Sequence, residues 1–170
     1  MLNEEIFIKI NNLAGHYVWL DRLAIFFAVY SGYILIAVLI YLWFVYRRSR
    51  RFIIASLIAT IISRGVLTTV IRFFYHHPRP FDVMSVHQLI SESGWSFPSG
   101  HAAFFFALSV PIFWYNKKLG FVFFATSVFM GLARIYAGVH WPVDVVGGAI
   151  LGALVGYLTC FLWPNKKTLI

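Results

Sequence analysis

The chain has 170 residues, 61% of them hydrophobic and only 12% charged, with mean hydropathy +0.79 and net charge +8. A soluble domain of this length needs far more charged surface, so the composition excludes one and predicts a single integral-membrane domain over residues 1–170. The basic residues are scattered among apolar segments without forming a stripe, so nucleic acid is not an expected partner.

In chain order, residues 2–17 carry Ile6, Phe7, Ile10, Leu13, Ala14 and Tyr17 at helical spacing, which predicts an amino-terminal helix lying in the membrane interface. No basic segment leads into an apolar core there, so no cleavable signal peptide is expected. Five apolar stretches follow, at about 22–46, 52–73, 100–115, 119–137 and 142–163, against the roughly 20 residues that cross a bilayer. The expected fold is therefore all-α, a polytopic bundle of about five spanning helices. Between the second and third, Val83, Val86, Leu89 and Ile90 predict a further interfacial helix over 82–91. Trp19, Trp95, Trp114, Trp141 and Trp163 fall where aromatic belts form. Gly147, Gly148, Gly152 and Gly156 suit close helix packing. Cys160, the single cysteine, lies inside an apolar run and can form no intramolecular disulfide.

Loop charge sets the expected orientation. The basic segments 47–51, 116–118 and 165–167 follow odd-numbered spans, so all three lie on one face, the cytoplasmic one. The loop 74–99 and the turn 138–141 then lie outside. That rule, applied to loops alone, also gathers three charged clusters at the outer ends of the spans: Arg72 and Arg79; His101; Arg134, His140 and Asp144. Charge near a membrane core is costly and marks a functional site by default.

The residue types suggest the chemistry. Guanidinium forks match phosphate oxygens, although Arg72 and Arg79 also read as flanking charges reaching the interface. Ser99 is a candidate helix cap, Gly100 lets a ligand approach the backbone, and a helix start attracts anions. His101 in that first turn is placed to donate a proton. Pro142 suits a helix start, which puts Asp144 within reach of His140, whose free ring nitrogen then serves as nucleophile or base.

The pattern R72-x6-R79-P80, P98-S99-G100-H101 and A133-R134-x5-H140-x3-D144 resembles the type 2 phosphatidic acid phosphatase superfamily, the membrane lipid phosphatases related to vanadium haloperoxidases. Its spacings match throughout; Arg72 stands where the family has Lys, and Ala133 where it has Ser. The resemblance implies a haloperoxidase-like helical core and a phosphatase. In it His140 attacks phosphorus to form a phosphohistidine and Asp144 orients His140. His101 protonates the leaving group, and Arg72, Arg79, Ser99, Gly100 and Arg134 hold the phosphate. No cofactor or metal is implied, and six acidic residues without a cluster offer none a site.

Segments 5–14, 86–90 and 141–147 look like the undecaprenyl-diphosphate phosphatases of the bacitracin-resistance type. The expected partner is a polyprenyl or other lipid phosphate, met at the outer face of a bacterial plasma membrane. A phosphatase for phosphatidate, phosphatidylglycerophosphate or a lipid A phosphate is the alternative, followed by a non-enzymatic head-group transporter. Arg64, inside the second span, has no assigned role, and His76 and His77 are read as interfacial.

Overall fold

The computed structural model describes residues 2–47 and 50–163. Among them it is all-helical. The helices are α1 (Leu2–Asn11), α2 (Val18–Val45), α3 (Arg51–Phe74), α4 (Pro80–Val83), α5 (Gly100–Tyr115), α6 (Lys117–Tyr136) and α7 (Pro142–Leu162). Helices α2, α3, α6 and α7 are long and apolar enough to cross a membrane, and α5 is a shorter apolar helix. The protein is multi-pass. Aromatic and aliphatic side chains such as Tyr33, Ile40, Phe73, Phe121, Ile150 and Phe161 stay exposed on the bundle surface, an apolar coat that lipid covers.

Helix α5 can be short because it is the inner helix. It packs against α7, α6 and α3 and buries Ala103, Phe105, Ala107, Leu108 and Ile112. Leu35 and Leu39 of α2, Phe52 and Ile53 of α3, and Phe123 and Met130 of α6 close around it. The α5–α7 contact rests on absent side chains. A Cβ on Gly148 would stand 2.4 Å from the Ser99 carbonyl oxygen, and one on Gly152 would stand 2.4 Å from that of Ala103. The spacing of four keeps these glycines on one helix face, so the two backbones touch directly.

Two helices contain wide turns, Phe26–Tyr30 in α2 and Ile61–Leu67 in α3. The Thr68 hydroxyl donates to the Ser63 carbonyl (2.9 Å), and the Ser63 hydroxyl donates to that of Ala103 (3.3 Å). These bonds occupy carbonyls on both helices where they meet in the apolar interior.

Helix α1 does not lie free on the interface. Its Phe7 ring packs on Trp141 (4.9 Å), and Asn11 donates to the carbonyls of His87 (2.9 Å) and Tyr136 (2.8 Å). Trp141 is correspondingly a core residue, donating from its indole to the Pro78 carbonyl (3.0 Å), and not a belt residue. The interfacial helix expected over 82–91 does not form. Helix α4 ends at Val83, and Met84 is extended. The following backbone bonds outward instead: His87 N–H to the Asn11 side chain (3.0 Å) and Leu89 N–H to the Ala137 carbonyl (3.1 Å). Tertiary hydrogen bonds there outcompete the local apolar periodicity.

The end of the bundle opposite the 75–99 loop is basic. Arg47, Arg50, Arg51, Lys117 and Lys118 gather there, with Arg50 stacked on Trp43 (4.3 Å) and Lys117 over Phe113 (4.1 Å). Arg48 and Ser49 of the basic loop, and the 165–167 segment, lie outside the described residues.

Gly152→Val should lower the thermal unfolding midpoint in detergent, because overpacking a filled contact costs about 1–3 kcal/mol. Leu154→Val, on the exposed face, should leave it unchanged.

Candidate active site

The site forms where the 75–99 loop folds over the starts of α5 and α7. Ser99 caps α5, its hydroxyl accepting from Ala102 N–H (3.5 Å), while its own N–H donates to the Asp144 carbonyl (2.9 Å). The turn between α6 and α7 depends on Gly138. Its φ is +78°, and a Cβ there would stand 2.8 Å from the His87 carbonyl oxygen, so a side chain is excluded twice over. That turn delivers His140 just ahead of Pro142, the first residue of α7.

Asp144 is 0% exposed and His140 only 1%. Asp144 Oδ2 accepts from Trp141 N–H (2.8 Å) and from the Ser96 hydroxyl in a short bond. His140 Nδ1 lies 3.2 Å from Ser96 Oγ and 3.4 Å from Asp144 Oδ2. On the other side of the ring, Arg79 Nη1 lies 3.5 Å from Nε2. A guanidinium only donates, so Nε2 carries the lone pair and Nδ1 the proton. This tautomer can attack an electrophile through Nε2 while the carboxylate takes up the charge that develops on the ring.

The arginines surround this pair. Arg79 is 2% exposed and its fork is filled: Nη1 donates to the Val139 carbonyl (2.8 Å), Nε to Gly94 (2.8 Å) and Nη2 to Ser93 (3.1 Å). Glu92 sits between guanidiniums, in a short bond to Arg134 and 3.6 Å from Arg79. Burial by itself would raise the Glu92 carboxyl, but Arg134 and Arg79 outweigh it and hold the group below its usual range. Burial also lowers the Arg79 guanidinium, against the pull of Glu92. Arg72 Nη2 donates to the Pro98 carbonyl (2.9 Å), and Arg134 Nε, buried, has no partner among the described residues.

Beside this cluster lies a cavity of about 390 Å³. Arg64, Glu92, Gly100, His101 and Arg134 form its polar end, and residues of α2 with Phe104 and Phe105 form its apolar wall. All eight residues expected from sequence are thus in one neighbourhood. Ser96 joins His140 and Asp144, Arg79 approaches His140 from the other side of the ring, Ser99 bonds to the Asp144 carbonyl, and Arg72 bonds to the Pro98 carbonyl beside Ser99. His101, Gly100 and Arg134 line the cavity, and Glu92 bridges Arg134 and Arg79.

Three residues were not anticipated. Ser96 bridges the histidine and carboxylate, Glu92 bridges two arginines, and His77 Nδ1 donates to Asp144 Oδ1 (3.1 Å). The placement of His77 corrects its reading as interfacial; His76 is exposed and stacks on Trp95 (4.6 Å). His77 and Ser96 carried one available signal, their closeness in sequence to Arg79 and Ser99. Glu92 carried none.

A cluster of arginines around a paired histidine and carboxylate at one end of a membrane bundle suits the chemistry of phosphoryl transfer. Residues 53–168 match the PAP2 superfamily. The chain is 33% identical to undecaprenyl-diphosphatase BcrC of Bacillus subtilis strain 168, over 92% of this chain and 82% of that protein. It is 32% identical to bacitracin transport permease protein BcrC of Bacillus licheniformis, over 96% of this chain and 82% of that one. The crystal structure of Aquifex aeolicus LpxE matches with a TM-score of 0.79 at 34% identity, over 95% of this chain and 96% of that one. The chain belongs to the PAP2 superfamily. It is a multi-pass membrane lipid phosphatase.

Loss of hydration on burial lowers His140 from 6.5 to about 4, against the opposing effect of its hydrogen bond to Asp144. The unfolded chain therefore takes up this proton near pH 6.5, and the folded chain refuses it until about pH 4. The stability involved is fully present above pH 6.5 and is lost as pH falls from there toward 4. The thermal midpoint should fall over that window and fall less in His140→Gln; an equal fall in both would assign the effect to other groups.

Proposed function

We propose that the protein hydrolyses undecaprenyl diphosphate to undecaprenyl phosphate and inorganic phosphate, at the outer face of a bacterial plasma membrane, recycling the carrier lipid of cell-wall synthesis. The observation that carries the reading is the His140 ring, held through Nδ1 by Ser96 and Asp144 with its Nε2 lone pair toward Arg79. The likeness to the undecaprenyl-diphosphatase of Bacillus subtilis supports this substrate. The basic end of the bundle, opposite the site, supplies the orientation. Residues 1–170 act as one integral-membrane domain.

In the proposed reaction, His140 Nε2 attacks the terminal phosphorus. The N–P bond forms as the bridging P–O bond breaks, and His101 gives its proton to the bridging oxygen, releasing the lipid monophosphate. His101 then takes a proton from water, whose oxygen attacks phosphorus. The N–P bond breaks, phosphate leaves, and both histidines return to their starting states. Arg72, Arg79, Arg134, the Ser99 hydroxyl and the Gly100 amide hold the phosphoryl oxygens, stabilising charge as phosphoryl transfer requires. In this reading the incoming phosphate takes the place of the Glu92 carboxylate between Arg79 and Arg134. The chemistry needs no metal.

A second reading, a phosphatase for a different lipid phosphate, is favoured by a likeness to the lipid A 1-phosphatase of Rhizobium johnstonii, 29% identical over 65% of this chain and 48% of that protein. A panel of lipid phosphates given to the purified protein, with and without chelator, separates the two. Undecaprenyl diphosphate should be the best substrate and chelator should have no effect. Strong phosphate release from phosphatidylglycerophosphate with none from the diphosphate would overturn the first reading. His140→Ala should abolish turnover while preserving folding and lipid binding; retained turnover would dismiss the phosphohistidine.

Ser96→Ala leaves the 3.4 Å approach of His140 to Asp144 but removes the bridge. A hydrogen bond to a charged group is worth about 1.5–3 kcal/mol, so kcat should fall roughly 10- to 100-fold. An unchanged kcat would make the serine structural.

A further inference from the structure

Arg64 lies eight residues before Arg72 on α3, roughly 10–12 Å deeper along the helix axis. A guanidinium at that depth is costly unless it serves a function. Its position in the wide turn Ile61–Leu67 is a second sign, because such turns recur at functional sites. The side chain runs across to α5. A Cβ on Gly100 would stand 2.4 Å from Arg64 Nε, so the glycine of the P-S-G-H segment is what admits it. There it lines the cavity beside His101, Glu92 and Arg134.

Arg64 differs from the other site arginines in having nothing to hold. Arg72 is bound to the Pro98 carbonyl, Arg79 to three carbonyls, and Arg134 to Glu92. Arg64 makes no hydrogen bond or ion pair among the described residues and stays exposed at the cavity. Its side of the site is that of His101, whereas His140 lies with Arg79 on the other side of Glu92. If His140 attacks the terminal phosphorus and His101 serves the leaving oxygen, whatever departs lies toward Arg64. In a lipid diphosphate the departing group is a second phosphate. In a lipid monophosphate it is an alcohol, with no anionic oxygens to grip.

We infer that Arg64 is a specificity-determining residue that binds the lipid-proximal phosphate and so selects lipid diphosphates over lipid monophosphates. The inference rests on the proposed function and deepens it by giving the preference for a diphosphate a structural cause. Charge grows on the proximal phosphate as the bridging bond breaks, so the contact strengthens in the transition state and acts on kcat as well as KM. The apolar wall continuing from the polar end, with Val29, Tyr33, Ile36 and Phe104, suits the first isoprene units of the tail.

The test uses the full-length protein in detergent and two variants, Arg64→Gln and Arg64→Lys. For a polyprenyl diphosphate, Arg64→Gln should lower kcat/KM roughly 10- to 100-fold, as loss of a charge-assisted hydrogen bond does. For the monophosphate of the same chain the change should stay under about threefold by the same reasoning. Arg64→Lys should recover part of the diphosphate activity. Equal losses on both substrates, or no loss on the diphosphate, would overturn the assignment. A competition arm keeps the test independent of the substrate proposal. Against any lipid phosphate the wild type cleaves, Arg64→Gln should weaken inhibition by inorganic pyrophosphate and leave inhibition by orthophosphate unchanged. Pyrophosphate inhibition that does not change would reject the role of Arg64 even if the wild type proves inactive on diphosphates. A wild type inactive on diphosphates, with the pyrophosphate effect intact, would instead reject the proposed substrate alone.

Discussion

The Asp144 carboxylate holds the working end of the molecule together. It is fully buried, and His140, Ser96, His77 and the Trp141 backbone N–H all converge on its two oxygens. Its own backbone carbonyl accepts from Ser99, the cap of α5. One residue at the start of α7 therefore fastens the 75–99 loop, the inner helix and the α6–α7 turn to a common point. A buried carboxylate is costly unless its lone pairs are filled, and filling them is what folds the loop inward.

The helix packing beneath makes this convergence possible. Glycines on α7 let its backbone meet that of α5, so the two helix starts come within one hydrogen bond of each other at Ser99 and Asp144. With larger side chains at Gly148 and Gly152 the starts would separate, and Ser99 N–H would no longer reach the Asp144 carbonyl. Rigid placement suits phosphoryl transfer, where the protein contributes position and charge more than covalent chemistry.

The arginines show a related economy. The forks of Arg72, Arg79 and Arg134 are engaged by backbone carbonyls and by Glu92, which leaves Arg64 as the site arginine without such a partner among the described residues. Glu92 is the only carboxylate among these partners, and phosphate oxygens match the same geometry. The site is thus assembled before a ligand arrives, at the expense of one internal ion-pair network.

Much of this was legible in the chain itself. Runs of about 20 apolar residues force membrane helices because hydrocarbon leaves backbone groups no other partner, and their bounds agree with α2, α3, α6 and α7 to within a few residues. The three charged clusters were conspicuous because charge is rare in such a background, and their spacing from Pro98 and Pro142 placed His101, His140 and Asp144 at helix starts. Local pattern failed where long-range bonds decided. Residues 82–91 have helical periodicity, but their backbone bonds to Asn11 and Ala137. Trp141 looks like a belt residue, but Phe7 covers it. Ser96 meets Asp144 across 48 residues, Glu92 meets Arg134 across 42, and His77 meets Asp144 across 67. Hydropathy and spacing describe each segment against its solvent, so the sequence determined the spans and the motif residues. Which polar groups complete one another depends on which helix ends the packing brings together, and only the tertiary structure decided that.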